Sequence, residues 1–187
     1  MAKSKNNIVI AGLSGGVGKQ LVFKQVNGRT IVTKFPNYKV SKTPKQEAHH
    51  QKFAKATVYA KNALENPTLK KAYADEAAKR PGVSAYIMAI ADYLKAPVID
   101  RIDTSAYTGA HNGEKIAIEV ADASKVMTVK VKIVAANNSA IEEGAAALSE
   151  GKWGYTTTAI NATLSGSKVL VTATDRPNNV VTKEITL

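Results

Sequence analysis

The segment from Ile8 to Gln20, IVIAGLSGGVGKQ, is closest in composition to a phosphate-binding loop. Such a loop follows a buried strand and opens a helix, so that backbone N–H groups surround the phosphates. Its pattern is G-x-x-x-x-G-K-[ST], and Gly18-Lys19 could supply its last glycine and its lysine. The chemistry would be nucleotide binding or hydrolysis, with the lysine on the β/γ-phosphates and a hydroxyl on Mg²⁺.

Three features of the surrounding sequence disagree with that motif. Its first glycine would stand at position 13, where the chain has Leu13, and Gln20 occupies the position of the Mg²⁺-binding hydroxyl. The motif also needs a helix next, whereas Asn27-Gly28 between two β-prone runs is a strong signal for a hairpin. We therefore predict a glycine-rich β-turn or bulge between strands, and a protein that is not an enzyme.

The other residues capable of chemistry form no site in the sequence. The chain has no cysteine, so it has no disulfide framework and no cysteine-based metal site or nucleophile. Ser14 has no evident His/Asp partner set, and the adjacent His49 and His50 would point about 100° apart on a helix. We expect no catalytic residue, no metal site and no cofactor.

The positive charge of the chain lies in its first half. Residues 1–96 carry 17 Lys/Arg and 5 Asp/Glu, a net charge of +12, whereas residues 97–187 carry 9 and 10, a net charge of −1. From Met1 to Lys45 there are nine basic residues and no acidic one. This asymmetry is typical of proteins that bind a polyanion, although a solvated basic surface without a dedicated ligand has the same composition.

Length and hydropathy limit the classes of protein to which the chain can belong. The chain of 187 residues is 44% hydrophobic, which is ordinary for a globular protein of one medium domain or two small ones. The longest uninterrupted apolar run near the N-terminus is Ile8 to Leu13, which is too short for a signal-peptide core or a membrane span. We expect cytoplasmic synthesis without a cleaved signal and no membrane span.

Residues 1–40 are predicted to form a basic β-ribbon of two or three strands with apolar residues on both faces. Such a ribbon is not stable alone and should pair with another surface. The residues predicted to shape or line the assembly surface are Gly15, Gly16, Gly18, Val22, Phe23, Asn27, Gly28, Ile31 and Val32. The residues predicted to bind a polyanion are Lys19, Lys24, Arg29, Lys34, Lys39 and Lys42.

Residues 41–96 are predicted to form a three-helix module. Thr43-Pro44 with Gln46 indicates a capping box, and Asn66-Pro67 and Ser84 indicate two further helix starts. The apolar stripe predicted for the first helix is His49, Phe53, Ala56, Ala60 and Leu64. Four tyrosines lie among lysines here, and at helical spacing they favour half-buried core residues with wet hydroxyls over a nucleic-acid surface. They are Tyr59, Tyr73, Tyr86 and Tyr93.

Residues 97–187 contain β-rich runs separated by turn clusters, which indicate six or seven short strands. Val129, Val131 and Ile133 alternate with lysines, as on a strand with one buried face. Trp153 is the predicted bulky core residue. Residues 141–149 are compatible either with a strand bulged at Gly144 or with a short helical turn. The fold class predicted for the chain is α+β, with an Ig-like β-sandwich at its C-terminal end.

The last predicted strands, KVLVTATDRPNNVVTKEITL, resemble bacterial Ig-like and fibronectin-type repeats, which are common in surface and phage structural proteins. Such repeats often carry A-x-D-x-x-G-N; Ala173, Asp175 and Asn179 fit it, and Asn178 replaces the glycine. Ig-like modules sometimes bind Ca²⁺ between strand-end carboxylates. Three aspartates lie at predicted strand ends, without clustering in one ligand loop. They are Asp103, Asp122 and Asp175.

The N-terminal part resembles an uncharacterised group of Bacteroidota proteins with an SG-x-VG-x-x-VF…NG-x-TIV…P pattern. The matching residues are Ser14-Gly15, Val17-Gly18, Val22-Phe23, Asn27-Gly28, Thr30-Ile31-Val32 and Pro36. This resemblance implies no activity.

We therefore expect a structural or assembly protein that forms homo-oligomers or joins a larger particle, such as a filament, a virion or an injection device. The alternative is a nucleic-acid or polyanion-binding protein that uses residues 1–96.

Overall fold

The computed structural model describes residues 2–3, 8–36, 43–122 and 124–187 of the chain. It contains both helices and antiparallel sheets, so the protein is α+β. The chain divides into two compact units, residues 1–49 and residues 50–187, which we call the N-terminal and C-terminal units. The predicted division into 1–40, 41–96 and 97–187 stays a prediction.

The N-terminal unit contains a four-stranded antiparallel sheet. Its strands are β1 (Ala2–Lys3), β2 (Gly15–Val17), β3 (Leu21–Val26) and β4 (Arg29–Lys34), in the order β1-β4-β3-β2. Ile8 to Ile10, which the phosphate-loop reading needs as a strand, are in turns. The glycine-rich segment lies in β2 and continues through a turn into β3, so the helix that a phosphate loop requires is absent from this position.

Two tight turns set the register of this sheet. Asn27 and Gly28 have φ of 50° and 72°, which is the type I′ geometry that matches the twist of a hairpin, and Val26 pairs with Arg29 across them. Gly18 and Lys19 have φ of 56° and 53° in the turn between β2 and β3. The predicted hairpin and the predicted glycine turn are both confirmed.

The helices are α1 (Pro44–Glu65), α2 (Pro67–Ala78) and α3 (Ala85–Leu94). All three begin at the predicted residues. The Thr43 N–H donates to Gln46 Oε1 at 2.9 Å and the Gln46 N–H to Thr43 Oγ1 at 3.3 Å, which completes the capping box. Asn66 Oδ1 accepts from two N–H groups of α2, and Ser84 Oγ accepts from the Ile87 N–H.

The apolar stripe predicted for α1 is partly wrong. The buried residues of α1 are Ala56, Ala60 and Ala63, whereas Phe53 is 44% exposed and His49 is on the surface. Small side chains at the contact allow helices to pack closely, and the bulk at this contact comes from Tyr73 of α2 and Met88 of α3.

Eight strands of the C-terminal unit form two four-stranded antiparallel sheets. One has the order β5-β6-β10-β9 and the other the order β12-β11-β7-β8. The strands are β5 (Val98–Asp103), β6 (Lys115–Ala121), β7 (Val126–Val134), β8 (Ala140–Ala145), β9 (Ala147–Ser149), β10 (Lys152–Thr156), β11 (Lys168–Asp175) and β12 (Val180–Thr186).

Both sheets contribute to one hydrophobic cluster. Alternate residues point to it, as the period of two requires, and the predicted inward positions Val129, Val131 and Ile133 are all buried. Trp153 is a member of this cluster, as predicted. The buried members are Ile99, Tyr107, Ile116, Ile118, Val129, Val131, Ile133, Ala146, Trp153, Tyr155, Val169, Val171 and Ala173.

The ambiguous segment 141–149 lies in β8 and β9, with Ala146 between the two strands, so the helical alternative is wrong. The register shift between β7 and β8 falls between Ile133 and Val134, not at Gly144. The glycine has a different role: a Cβ at Gly144 would lie 2.8 Å from Cε2 of Tyr155, a residue of the other sheet. Gly144 therefore provides space for the Tyr155 ring between the two sheets.

We expect Gly144→Ala to destabilise the protein by about 1–3 kcal/mol, because the Tyr155 ring is buried and cannot move without strain. The matched control is Gly154→Ala, since a Cβ at Gly154 meets nothing within 4 Å. That variant should be neutral or up to about 1 kcal/mol more stable. Urea unfolding measures both, and equal stability of the two variants would contradict this role of Gly144.

Candidate functional site

The N-terminal unit exposes its large apolar side chains. Among its described residues only Thr30 is buried, at 5% exposure. Seven large hydrophobic residues are between 41% and 91% exposed: Ile8, Val9, Leu13, Val17, Leu21, Val26 and Phe35. Both hydrophobic clusters of the described residues lie in the C-terminal unit. The sheet of the N-terminal unit therefore has backbone pairing without a hydrophobic core of its own.

Cross-strand pairing assigns the predicted assembly residues to two faces of this sheet. Residues that pair directly project to the same face, so Phe23 and Val32 share the first face with the pair Val17 and Leu21. Val22, Val26 and Ile31 lie on the second face. The prediction of apolar residues on both faces is confirmed. Of the predicted glycines, Gly15 and Gly16 lie in β2, while Gly18 and Gly28 lie in turns.

A polar contact covers one end of the first face. Gln25 Nε2 donates to the Leu13 carbonyl at 2.7 Å and to Thr30 Oγ1 at 2.8 Å, and the Gly12 N–H donates to the same hydroxyl at 3.2 Å. These bonds hold the loop that precedes β2 against the sheet. They also explain why the only buried side chain of the described part of this unit is polar.

The predicted polyanion-binding residues are divided between the faces. Lys24 and Arg29 lie on the second face, Lys34 on the first, and Lys19 in the turn before β3. All four are exposed, and none has an ion pair with a described residue. Lys39 and Lys42 lie outside the described residues.

The C-terminal unit contains a cluster of acidic groups where α3 meets the two sheets. Asp92 lies on α3, Asp122 directly follows β6, and Asp175 ends β11. One carboxylate oxygen from each lies within 4.8 Å of the other two. The sequence indicates Asp103, Asp122 and Asp175 as strand-end carboxylates that do not share one ligand loop. Two of them do meet in space, and Asp92 of a helix completes the group.

Asp103 is separate from this cluster. Its Oδ1 accepts from the Ser105 N–H at 3.0 Å, and its Oδ2 lies 3.1 Å from Arg101. Hydrogen bonds from Ser105 lower the pKa of the Asp103 carboxyl. Asp103 is therefore an ionised residue at the end of β5, and its carboxylate is bound by Ser105 and Arg101.

Two tyrosines lead from the surface of the helices to Asp92. The Tyr73 hydroxyl donates to Asp92 Oδ2 at 2.6 Å, and the Tyr59 hydroxyl lies 2.8 Å from the Tyr73 hydroxyl. Because Tyr73 uses its only proton on the carboxylate, Tyr59 donates to Tyr73. The prediction of wet tyrosine hydroxyls is wrong for Tyr73, which is fully buried; its burial and its bond to Asp92 both raise its pKa.

Arg176 lies next to this network but is paired elsewhere. Its guanidinium is 3.1 Å from Glu76 and 2.9 Å from Ser124 Oγ, and Cζ lies 4.6 Å from the centre of the Tyr73 ring. An ion pair, a hydrogen bond and a cation–π contact hold the turn after β11 against α2. Both partners of the ion pair are largely buried, at 9% and 20% side-chain exposure.

Asn179 connects the same turn to α3. Its N–H donates to Asp175 Oδ1 at 2.6 Å and its Nδ2 to Asp175 Oδ2 at 2.8 Å. The same Nδ2 also donates to the carbonyls of Asp92 and Tyr93, at 3.2 and 3.3 Å. Asn178 has φ of 66°, a conformation that asparagine tolerates and that explains how it can replace a glycine here.

Burial determines the electrostatics of the cluster. Desolvation is the main cause that raises the pKa of Asp92 to about 6, opposed by the Tyr73 hydrogen bond and reinforced by the charge of Asp122. Desolvation also raises the pKa of Asp175, against its two bonds from Asn179. Among the described residues, Asp92, Asp122 and Asp175 form the group of carboxylates whose oxygens lie close enough together to hold one cation.

Sequence reasoning missed Asp92, Tyr73 and Arg176 as members of one site. Asp92 was the available signal, because it is the only charged residue in the otherwise apolar helix AYIMAIADYL, and a charge in a buried helix requires a partner. Tyr73 lies 19 residues before Asp92, and Asp122 and Asp175 lie 30 and 83 residues after it, separations that local patterns cannot connect.

No family model, curated protein or solved structure matches the chain. Within the described residues, no helix is long and apolar enough to cross a membrane.

Because the pKa of Asp92 is raised, the effect of Asp92→Asn on the stability of the protein should depend on pH. Between about pH 4 and 6 the folded wild type holds a proton that its unfolded chain has released, so this group's contribution to stability falls as pH rises through that window. Asparagine does not ionise and can still accept from Tyr73. The variant should therefore gain stability relative to wild type as pH rises to neutrality.

Urea unfolding in EDTA at a series of pH values measures this difference. Asp103→Asn is the control with the opposite sign, because a lowered pKa contributes stability that is present at neutral pH and lost on acidification. A stability difference between Asp92→Asn and the wild type that does not change with pH would contradict a raised pKa of Asp92.

Proposed function

We propose that the protein is a non-enzymatic structural protein that associates with further copies of itself through the sheet of its N-terminal unit, as part of a larger particle. A filament, a virion or an injection device is the kind of particle that fits. The observation that carries this proposal is the seven exposed hydrophobic side chains of a unit with no buried apolar residue among its described positions.

Association would bury apolar side chains that the N-terminal sheet exposes. A small sheet without a packed face is marginal in water, and exposed apolar side chains on such a sheet favour a protein–protein contact. Covering Val17 and Leu21, which are 57% and 41% exposed, would remove apolar area from water at about 25 cal/mol per Å². A second copy presents the same surface, so a symmetric contact would bury the apolar patches of both copies together.

An Ig-like β-sandwich is the architecture we propose for residues 97–187. The orders β5-β6-β10-β9 and β12-β11-β7-β8 follow the A-B-E-D and G-F-C arrangement of immunoglobulin domains, with β8 as an added strand beside C. One hydrophobic cluster shared by the two sheets is consistent with this assignment. In the assembly, this part would serve as a rigid body that the N-terminal sheet links to its neighbours.

We also propose that residues 14–36 share the sequence pattern of the Bacteroidota group because this pattern forms the sheet. The type I′ turn at Asn27-Gly28 and the turn at Gly18 give two of its motif positions a structural reason, namely backbone shape. This supports a role of the motif in forming the sheet rather than in chemistry.

Replacing Val17 and Leu21 together by serine should convert the wild-type oligomer to monomer, because the pair contributes apolar area on the first face. The matched control is Met127→Ser with Ile160→Ser, which removes two residues of 50% and 60% exposure from the C-terminal unit. Size-exclusion chromatography with light scattering gives the mass of each species. A wild type that stays monomeric at high concentration would contradict the proposal.

The second candidate function is binding of a polyanion by the same unit. It is favoured by the exposed, unpaired cations Lys19, Lys24, Arg29 and Lys34 among the described residues, and by the absence of any acidic residue before Glu47. Nucleic acid bound in this way would be held by phosphate contacts and by counterion release.

Lys24→Gln with Arg29→Gln removes the two cations of the second face. Fluorescence anisotropy with duplex DNA at several salt concentrations should show weaker binding and a salt slope shallower by about 2. Lys115→Gln with Lys125→Gln, two exposed lysines of the C-terminal unit, is the control that should leave the slope unchanged. Wild-type binding that is absent at low salt, or independent of salt, would exclude this function.

A further inference from the structure

The acidic cluster of the C-terminal unit has the features of a cation site. Asp92, Asp122 and Asp175 each provide a carboxylate oxygen, and these oxygens lie within 4.8 Å of one another. Asp92 is fully buried, and its Oδ1 accepts no hydrogen bond from the described residues, although its Oδ2 is bound by Tyr73. A buried carboxylate oxygen without a donor costs free energy unless something else binds it.

Asp92 and Asp175 have no ion pair within the described part of the chain. The charge of Arg176 lowers the pKa of Asp92, but its guanidinium is bound to Glu76 and Ser124. No Lys or Arg among the described residues forms an ion pair with Asp92 or Asp175. Buried charges in proteins are paired or coordinate metals, so a bound cation would supply the positive charge that ionised Asp92 and Asp175 lack.

The donor set matches a hard cation. Ca²⁺ binds oxygens at about 2.3–2.6 Å, so two ligands on opposite sides of the ion are about 4.6–5.2 Å apart, and the 4.8 Å limit lies inside that span. The oxygens of Asp175 already accept from Asn179, but an ionised carboxylate has about four lone-pair sites and can also bind a cation. Asp122 is only half-buried, so water can complete the coordination.

We propose that Asp92, Asp122 and Asp175 bind one Ca²⁺ ion, which crosslinks α3 to both sheets of the C-terminal unit. Asp122 follows β6 of one sheet and Asp175 ends β11 of the other, so the ion joins three elements that local sequence does not connect. The ion would add to the contacts that Asn179 and Arg176 already make between the helices and the strands.

The test uses the full-length protein after removal of metals with EDTA and dialysis. Isothermal titration with CaCl₂ measures binding directly, and thermal unfolding with and without CaCl₂ measures its effect on the folded state. We expect saturable binding of one Ca²⁺ per chain and a higher Tm with Ca²⁺, because a ligand that binds only the folded state stabilises it.

Asp122→Asn is the main variant because Asp122 is the least buried of the three ligands, and Asp92→Asn is the second. Each should weaken Ca²⁺ binding by at least about tenfold and abolish most of the Tm shift. Asp103→Asn, which changes a strand-end aspartate outside the cluster, should bind as the wild type does. Absence of Ca²⁺ binding by the folded wild type overturns the proposal, as does unchanged binding by folded Asp122→Asn.

Discussion

The sheet of the N-terminal unit has its backbone hydrogen bonds in place but buries almost none of its side chains. Backbone bonds add little net stability, since they replace bonds to water, and hydrophobic burial has to supply the rest. Among the described residues of this unit, seven large apolar side chains are exposed, the others are only partly buried, and Thr30 is the one buried residue. The proposed association follows from this imbalance, because a partner surface is what would bury these side chains.

The C-terminal unit is stabilised in the opposite way. Two sheets share a hydrophobic cluster of thirteen buried residues, and the three helices pack around Tyr73 and Met88. Polar contacts connect helices to strands: Asn179 binds a carbonyl in the last turn of α3, and Arg176 binds Glu76 on α2. A polar network whose groups are hydrogen-bonded specifies one arrangement of packed elements. Asp92 Oδ1 is buried without a hydrogen bond from the described residues, and this oxygen motivates the proposed cation.

Local chemistry made much of this fold predictable from the sequence. The turn at Asn27-Gly28 and the caps at Thr43, Asn66 and Ser84 need only a few adjacent residues, and each is found where expected. The alternation in β7 and the burial of Trp153 likewise follow from period and size. Predictions failed where tertiary contacts decide. Phe53 remains exposed because alanines make the contact of α1, and Tyr73 can be fully buried because its hydroxyl donates a hydrogen bond to Asp92.

The acidic cluster shows the same limit for the site. Asp122 and Asp175 are recognisable in the sequence as strand-end aspartates. Their proximity depends on how strands of two different sheets are placed in the fold, and Asp92 joins them from a helix. The basic surface was predictable as a composition and not as a geometry, since the pairing of β3 with β4 places Lys24 and Lys34 on opposite faces.

Hydrogen–deuterium exchange at a series of protein concentrations tests whether a second copy covers the N-terminal sheet. If the N-terminal sheet is completed by a second copy, the amides of β3 and β4 should exchange quickly in dilute protein and become protected as concentration rises. The amides of β7 and β11, in the core of the C-terminal unit, should be protected throughout. Strong protection of β3 and β4 in dilute monomer, independent of concentration, would contradict the account.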